Sequence, residues 1–418
     1  MKNKKNHIRV FEHEPLWVHK GNQRLTELQL KELQIFSGDN GVCYYDLIHK
    51  GIKFKAFVGV IQVGQLTIEV LPKADKCEDK TEWQKILIGM LRAVNAFNIH
   101  APSESSLNIK TNFVLDLYFE LFIKEVEFLF NKGLIKKYRK TDSNSLALKG
   151  SILFGKHISQ NLVHQERFYI RHSTYDNIHL LHQVLYKTLL LVKDINNNAV
   201  LSSRIGTLML CFPEMNSLKI TEASFDKISF NRKTADYKNA IEISRLLLLN
   251  YHPDLSNGKR DILALMFDMN LLWEKFIYVS LRKYLPKEMT IAAQTSKYFW
   301  KPTNGNLSTI KPDIVLKKDN ETFVLDTKWK NIGSNNPSPE DLRQLYVYHE
   351  YFFAKKVALI YPGSKGISKG KYLKTNKTTD FEKECSIVKI QTDSAINIWQ
   401  ENIADQIYGK WINLNHKN

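Results

Sequence analysis

The sequence predicts an α+β amino-terminal region, a small β-rich unit plus long helices, followed by an α/β domain, with the boundary near residue 250. Three observations carry this. Residues 38–73 read as short strands, residues 112–130 as a long helix apolar on more than one face, and the stretch beyond residue 260 alternates helical and strand periodicity. With 418 residues, 43% hydrophobic and 25% charged, the chain is neither disordered nor fibrous and has room for two or three domains. The expected division is 1–250 and 251–418.

Taken in order, residues 43–47, 54–61 and 66–71 carry β-branched alternation, with a turn at Val63-Gly64. Pro72 ends the last strand because it has no N–H to give a ladder. Residues 83–97 resume at helical spacing through Trp83, Leu87, Met90, Leu91 and Val94. In the next helix Phe113, Leu117, Phe119, Leu121, Phe122, Val126 and Leu129 cover more than one face, so it must be sandwiched. Gly133 supplies its stop, and the basic run Lys136, Lys137, Arg139, Lys140 is either a solvated face or a phosphate-binding patch. A short strand at 146–154, an aromatic stretch at 168–175 and helices at 179–195 and 241–249 follow. Asn257-Gly258 marks a turn before a new apolar segment.

Sixty Lys plus Arg against 43 Asp plus Glu leave a formal charge of +17, which favours polyanionic partners through counterion release; a Lys-rich genome would produce the same excess. Cys43, Cys77, Cys211 and Cys385 are scattered without a C-x-x-C pair, which excludes a disulfide framework or zinc cluster and fits a reducing, cytoplasmic setting. No secretory h-region and no run of 18 apolar residues is present, so no membrane partner is expected. His157, His164, His172, His179 and His182 invite a metal reading, but no carboxylate or cysteine stands beside them at ligand spacing.

The informative stretch runs from Lys311 to Lys328. Two β segments, 313–317 and 322–327, flank Asp319-Asn320, a pair suited to a tight hairpin. With those two residues as the loop, Lys318 faces Glu321 and Asp313 falls opposite Asp326. Period-2 alternation then puts Ile314, Leu316, Phe323 and Leu325 on one face, and Asp313, Asp326 and Lys328 on the other. Like charges facing each other across a ladder are destabilising, so something must compensate. Mg²⁺ does so with hard oxygen ligands, and Lys328 can orient or deprotonate a water and stabilise a phosphorane-like charge. The alternative is a solvated surface hairpin in which Lys328 pairs with one acid.

Upstream, residues 261–283 read as one helix with Glu274 beside Phe267, Leu271 and Tyr278; its partner is either the metal site or a salt bridge to Arg282 or Lys275. Downstream, Ser338 can cap a helix with Pro339 at its first position, on which Asp341, Gln344 and Tyr348 share a face. Gln344 can bind a metal-bound water or phosphate and Tyr348 the scissile strand, or both belong to an ordinary amphipathic helix. Residues 355–362 read as a further strand, before a basic loop at 363–371. No G-x-x-x-x-G-K-[ST] occurs, so the chain is not expected to hydrolyse nucleotides by itself.

Asp313, Asp326 and Lys328 resemble the core of the PD-(D/E)xK nuclease superfamily, and Gln344 with Tyr348 resembles the Q-x-x-x-Y extension of its RecB-like branch. The wider chain is similar to the McrC family, endonuclease subunits of McrBC modification-dependent restriction systems. This likeness is carried by Leu66-Thr-Ile-Glu-Val-Leu-Pro-Lys73, Asp116-Leu-Tyr-Phe-Glu-Leu-Phe-Ile123, Leu148-Lys-Gly150, Phe267-Asp-Met-Asn-Leu-Leu-Trp-Glu274 and Leu325-Asp-Thr-Lys-Trp-Lys330. The resemblance implies a PD-(D/E)xK restriction-endonuclease-like fold for 251–418. It implies one or two Mg²⁺ ions on Asp313, Asp326 and Glu274, and catalytic roles for these with Lys328, Gln344 and Tyr348. It also implies cleavage of double-stranded DNA carrying 5-methylcytosine, and docking of residues before 250 into a hexamer of a McrB-type AAA+ GTPase whose hydrolysis the chain stimulates. Gly59, Gly64 and Pro72 read as turn residues, not contacts. Two other readings stand beside this one: an adaptor that activates the motor with little cleavage of its own, and a free-standing RecB-like nuclease.

Overall fold

The computed structural model describes residues 7–21, 23–39, 41–63, 66–74, 79–94, 114–215, 219–252, 262–330, 332, 336–373 and 380–413. The chain forms two compact units, one made of Met1–Ala96 with Asn257–Asn418 and the other of Phe97–Ser256. This corrects the expected split at residue 250. The first unit is discontinuous because the Ile262–Asp268 strand pairs antiparallel with Phe57–Val63, Ile262 facing Val63 and Asp268 facing Phe57. Phe57–Val63 in turn pairs with Leu66–Leu71, which runs parallel to His7–Phe11.

That strand is itself a correction, since 261–283 was expected as one helix. A short continuous apolar run has no period of its own, and the waiting edge of Phe57–Val63 decides its conformation. The helix begins only at Met269, where the Asp268 carboxylate caps the Asn270 and Leu271 N–H groups. Gly59 lies inside the Phe57–Val63 strand instead of at a turn. A Cβ there would stand 2.1 Å from the Leu265 carbonyl oxygen, and φ is +137°. Gly64 and the Asn257-Gly258 turn lie outside the described residues.

A second sheet of the same unit has the order Thr290–Ala293, Ile314–Lys318, Glu321–Thr327, Ala354–Pro362, Asp380–Ile390, Gly366–Leu373. The three central pairings are antiparallel, parallel and parallel. Both faces of its middle strands are covered. Val315 and Val324 pack with Leu345, Tyr348 and Phe352 of the Pro339–Tyr351 helix and its end. Lys80–Val94, Met269–Tyr284 and Ile396–Ala404 supply an aromatic core: Trp273 lies 5.8 Å from Trp399 and 5.3 Å from Trp329, and Trp83 meets Trp329 at 6.4 Å. Glu27–Ser37, a helix the periodicity does not announce, carries a full capping box at Thr26 and Gln29.

The second unit is a helical bundle of Val114–Lys132, Leu180–Ile195, Ala199–Cys211 and Lys238–Leu249 with a twisted ribbon. The basic run enters that ribbon as Lys137–Ser145, paired antiparallel with Phe168–Asp176, and Arg139 forms an ion pair with Asp176 at 3.0 Å. The expected strand at 146–154 shrinks to Ser151–Ile152, and Phe154–Asn161 is a helix. His182 is fully buried, with Nδ1 2.7 Å from the Asn177 carbonyl and Nε2 2.9 Å from the Tyr237 hydroxyl. Both ring nitrogens are thus occupied by the protein. No described helix is long and apolar enough to cross a membrane.

Candidate active site

The hairpin forms in the expected register. Asp319 and Asn320 both take positive φ, 46° and 65°, as a type I′ turn demands, and the rungs run from Lys318 facing Glu321 to Ile314 facing Leu325. One rung further, Asp313 turns its Oδ2 onto the Thr327 N–H at 2.7 Å and the Thr327 hydroxyl at 2.8 Å. Asp326, 1% exposed, has Oδ2 2.9 Å from the Lys328 ammonium and Oδ1 accepting from Gln344 Nε2 at 3.3 Å. Burial and then the charge of Asp313 push the Asp326 carboxyl up to about 6, against the pull of Lys328. Burial works against the Lys328 charge, but Asp326, Asp341 and Asp313 outweigh it, and its pKa moves upward. Lys328 is therefore held as a cation, suited to orienting oxygens and stabilising negative charge.

The Pro339–Tyr351 helix closes the site. Ser338 caps it by accepting the Asp341 N–H at 3.1 Å, with Pro339 at the first position as expected. Gln344 Nε2 donates to the Tyr348 hydroxyl at 2.7 Å, and Tyr348 donates to the Lys311 carbonyl at 3.1 Å. A chain of bonds thus joins Asp326 to the segment carrying Asp313. Burial pushes the Tyr348 phenol up to about 12, which keeps it a donor.

Glu274 lies half-buried on the Met269–Tyr284 helix, and its partner is neither of the two cations considered from sequence but Gln294, whose Nε2 donates at 2.8 Å. Burial and then Asp313 raise its pKa, so the two carboxylates sense each other. Gln294 stands at φ 51° and its N–H also holds the Asp313 carbonyl at 2.9 Å. Only its preference-breaking backbone marks it, and sequence reading missed it. Asp341, expected on one face with Gln344 and Tyr348, pairs with Lys330 at 2.7 Å, and its Oδ1 lies 4.0 Å from Lys328. Trp329 packs on Trp83 and Trp273, its indole N–H donating to Glu12 at 2.7 Å.

Asp313 and Asp326 present hard oxygen donors, and Asp326 Oδ2 is buried without an aligned hydrogen bond. That donor set fits Mg²⁺, which takes one or two carboxylates and completes its shell with water and phosphate. Among the described residues no three Asp, Glu, His or Cys side chains converge as a ready-made metal cluster; Glu274 is held on Gln294, and the His179 and His182 rings meet at 3.9 Å without a third ligand.

The family described as McrBC 5-methylcytosine restriction system component matches residues 52–362. The type IV methyl-directed restriction enzyme EcoKMcrBC of Escherichia coli K12 is 24% identical over 289 residues, covering 64% of this chain and 78% of that protein. The structure of McrC bound to McrB AAA+ hexamers of Thermococcus gammatolerans aligns with a TM-score of 0.69 at 20% identity, over 97% of this chain and 100% of that one, a likeness of fold. With about three quarters of its length inside that family match, the chain belongs to the McrBC restriction system component family.

Proposed function

We propose that this chain is the Mg²⁺-dependent endonuclease subunit of a modification-dependent restriction complex, with Asp313, Asp326 and Lys328 as a PD-(D/E)xK centre. The observation that carries it is the register of the hairpin, which brings two aspartates to neighbouring positions with the Lys328 ammonium 2.9 Å from one of them. Asp313 and Asp326 would hold the ion, with Glu274 reaching it through displacement of Gln294. Bound there, Mg²⁺ supplies a Lewis acid for the phosphoryl oxygen and lowers the pKa of a water. Lys328 orients the attacking water and offsets the negative charge that builds on the phosphoryl oxygens as the new P–O bond to water forms and the P–O bond to the leaving oxygen breaks. Gln344 fixes the Asp326 carboxylate, and Tyr348 holds the Lys311 backbone against the strand being cut.

The T. gammatolerans relative is bound to McrB AAA+ hexamers, and by likeness this chain docks into such a GTPase and stimulates it, the methylated base being read on double-stranded DNA by the complex. Support comes from the ribbon end of the second unit, where Leu146, Phe154, Ile158, Leu162 and Val163 each expose more than 60% of their surface. The test is the complex with its GTPase partner on methylated plasmid. Asp326→Ala and Lys328→Ala are expected to abolish GTP-dependent cutting while GTP hydrolysis still rises on addition of the variant. Retained cutting would remove these residues from the centre. Cutting by the chain alone with Mg²⁺ would favour a free-standing nuclease, and stimulation without any cutting an adaptor.

A further inference from the structure

The antiparallel ribbon of Lys297–Trp300 and Ser308–Ile310 leads straight into the candidate site. Ile310 precedes Lys311, whose carbonyl Tyr348 holds, and Asp313 follows two residues later. All four residues of Lys297–Trp300 are exposed, Tyr298 by 72% and Trp300 by 59%. Large rings are seldom left in water without a partner. The ladder explains how they come to be there: Tyr298 faces Thr309 and Trp300 faces Ser308, so Phe299 is an extra residue in a bulge. A bulge re-aims side chains. Phe299 packs edge-on against Tyr351 at 5.3 Å, and the Lys297 ammonium donates to the Tyr351 carbonyl at 2.7 Å. Both contacts tie the ribbon to the end of the helix that carries Gln344 and Tyr348, while Tyr298 and Trp300, whose ladder partners are consecutive residues, stay exposed on opposite faces of the ribbon.

Charge names the occupant. From Met289 to Pro312 the chain has no Asp or Glu, and Lys301 and Lys311 stand in it beside Lys297, whose ammonium the Tyr351 carbonyl already holds. Rings that accept any base face, set among cations that accept phosphate, are the chemistry of nucleic-acid binding, not of an acidic or apolar protein groove. Thr309 and Ser308, the ladder partners of Tyr298 and Trp300, lie four and five residue steps before Asp313, a reach of at most about 18 Å, or roughly five base steps along one strand.

The geometry points to this ribbon as a DNA-gripping element in which Tyr298 and Trp300 stack on bases within about five steps of the scissile phosphodiester. The inference rests on the nuclease reading for the position of the DNA. Binding of a fluorescent 30-base-pair duplex to the full chain, measured by anisotropy in Ca²⁺ over a salt series, tests it. Tyr298→Ala with Trp300→Ala is expected to weaken binding at least tenfold without changing the salt slope, because no phosphate contact is lost. Tyr298→Phe with Trp300→Phe is expected to bind within about threefold of the parent, since the rings remain. Lys301→Ala should lower the slope by about one. Alanine variants that bind as tightly as the parent, or phenylalanine variants that fail as badly as alanine ones while melting normally, would overturn the assignment. Asp326→Asn in parallel separates the two ideas. Continued cutting by that variant would remove Asp326 from the proposed centre and leave the affinity result on the ribbon to stand by itself.

Discussion

Asp326 illustrates how one side chain can be forced into service by its surroundings. Its carboxylate is buried against Asp313, and the two relieve each other only through Lys328, Gln344 and Thr327. Tyr348→Phe removes the hydroxyl that Gln344 and the Lys311 carbonyl share. Cutting is expected to fall about 10–100-fold, with little change in DNA affinity, as when support for a ligand is lost. A kinetic split between turnover and binding checks this. Glu12 makes a separate prediction. Burial, only partly offset by bonds from Lys73 and Trp329, raises its pKa to about 7. A carboxyl raised in the folded state contributes stability below its unfolded value near 4.5, and that contribution disappears as pH rises through about 7. Glu12→Gln keeps the acceptor for the Trp329 indole and never ionises. Its melting temperature relative to the parent is expected to be higher at pH 8 than at pH 5, by the equivalent of at most about 3 kcal/mol; an equal difference at both would show that Glu12 carries no such charge cost.

Among the elements, the hairpin is the most local. Its turn needs positive φ at both Asp319 and Asn320, and its register follows from two residues and a period of two. Asn320→Gly is expected to raise the melting temperature slightly and Asn320→Val to lower it through a stability loss of about 1–2 kcal/mol, read by thermal unfolding. The Phe57–Val63 and Ile262–Asp268 pair is the opposite case, because neither strand specifies the other nearby in sequence. Gly59→Ala would drive a Cβ onto the Leu265 carbonyl, a backbone atom that cannot move alone, and at least 3 kcal/mol of stability is expected to be lost. Gly89→Ala meets the Ile396 side chain instead, which can rotate, so its cost should be the smaller of the two. Equal melting temperatures for both variants would contradict the sheet register.

Across the molecule, the discontinuous first unit means that the unit carrying the candidate site does not begin at residue 251. A fragment starting there lacks the Phe57–Val63 partner of Ile262–Asp268, as well as Trp83 and Glu12 around Trp329. It is expected to aggregate through the bared strand edge and to lose cooperative unfolding, which size-exclusion chromatography and calorimetry would reveal. A well-folded monomer from residue 251 would refute the division.

The sequence alone determined what is local or strictly periodic. The hairpin register, the Ser338 cap with Pro339, and the neighbourhood of Asp313, Asp326 and Lys328 all depend on residues within a few positions of one another, where sterics and pleat leave one choice. The Gln344 and Tyr348 face followed equally from helical spacing. Tertiary structure decided everything that needed a distant partner. An apolar run at 262–268 is helix or strand by its own lights and became strand because an edge from residue 57 onward was open to it. Glu274 found Gln294 instead of the cations on its own helix, and Trp329 found Glu12 more than 300 residues away. A hydrogen bond across that distance leaves no periodicity behind, since the chain closes it only after the sheets have formed.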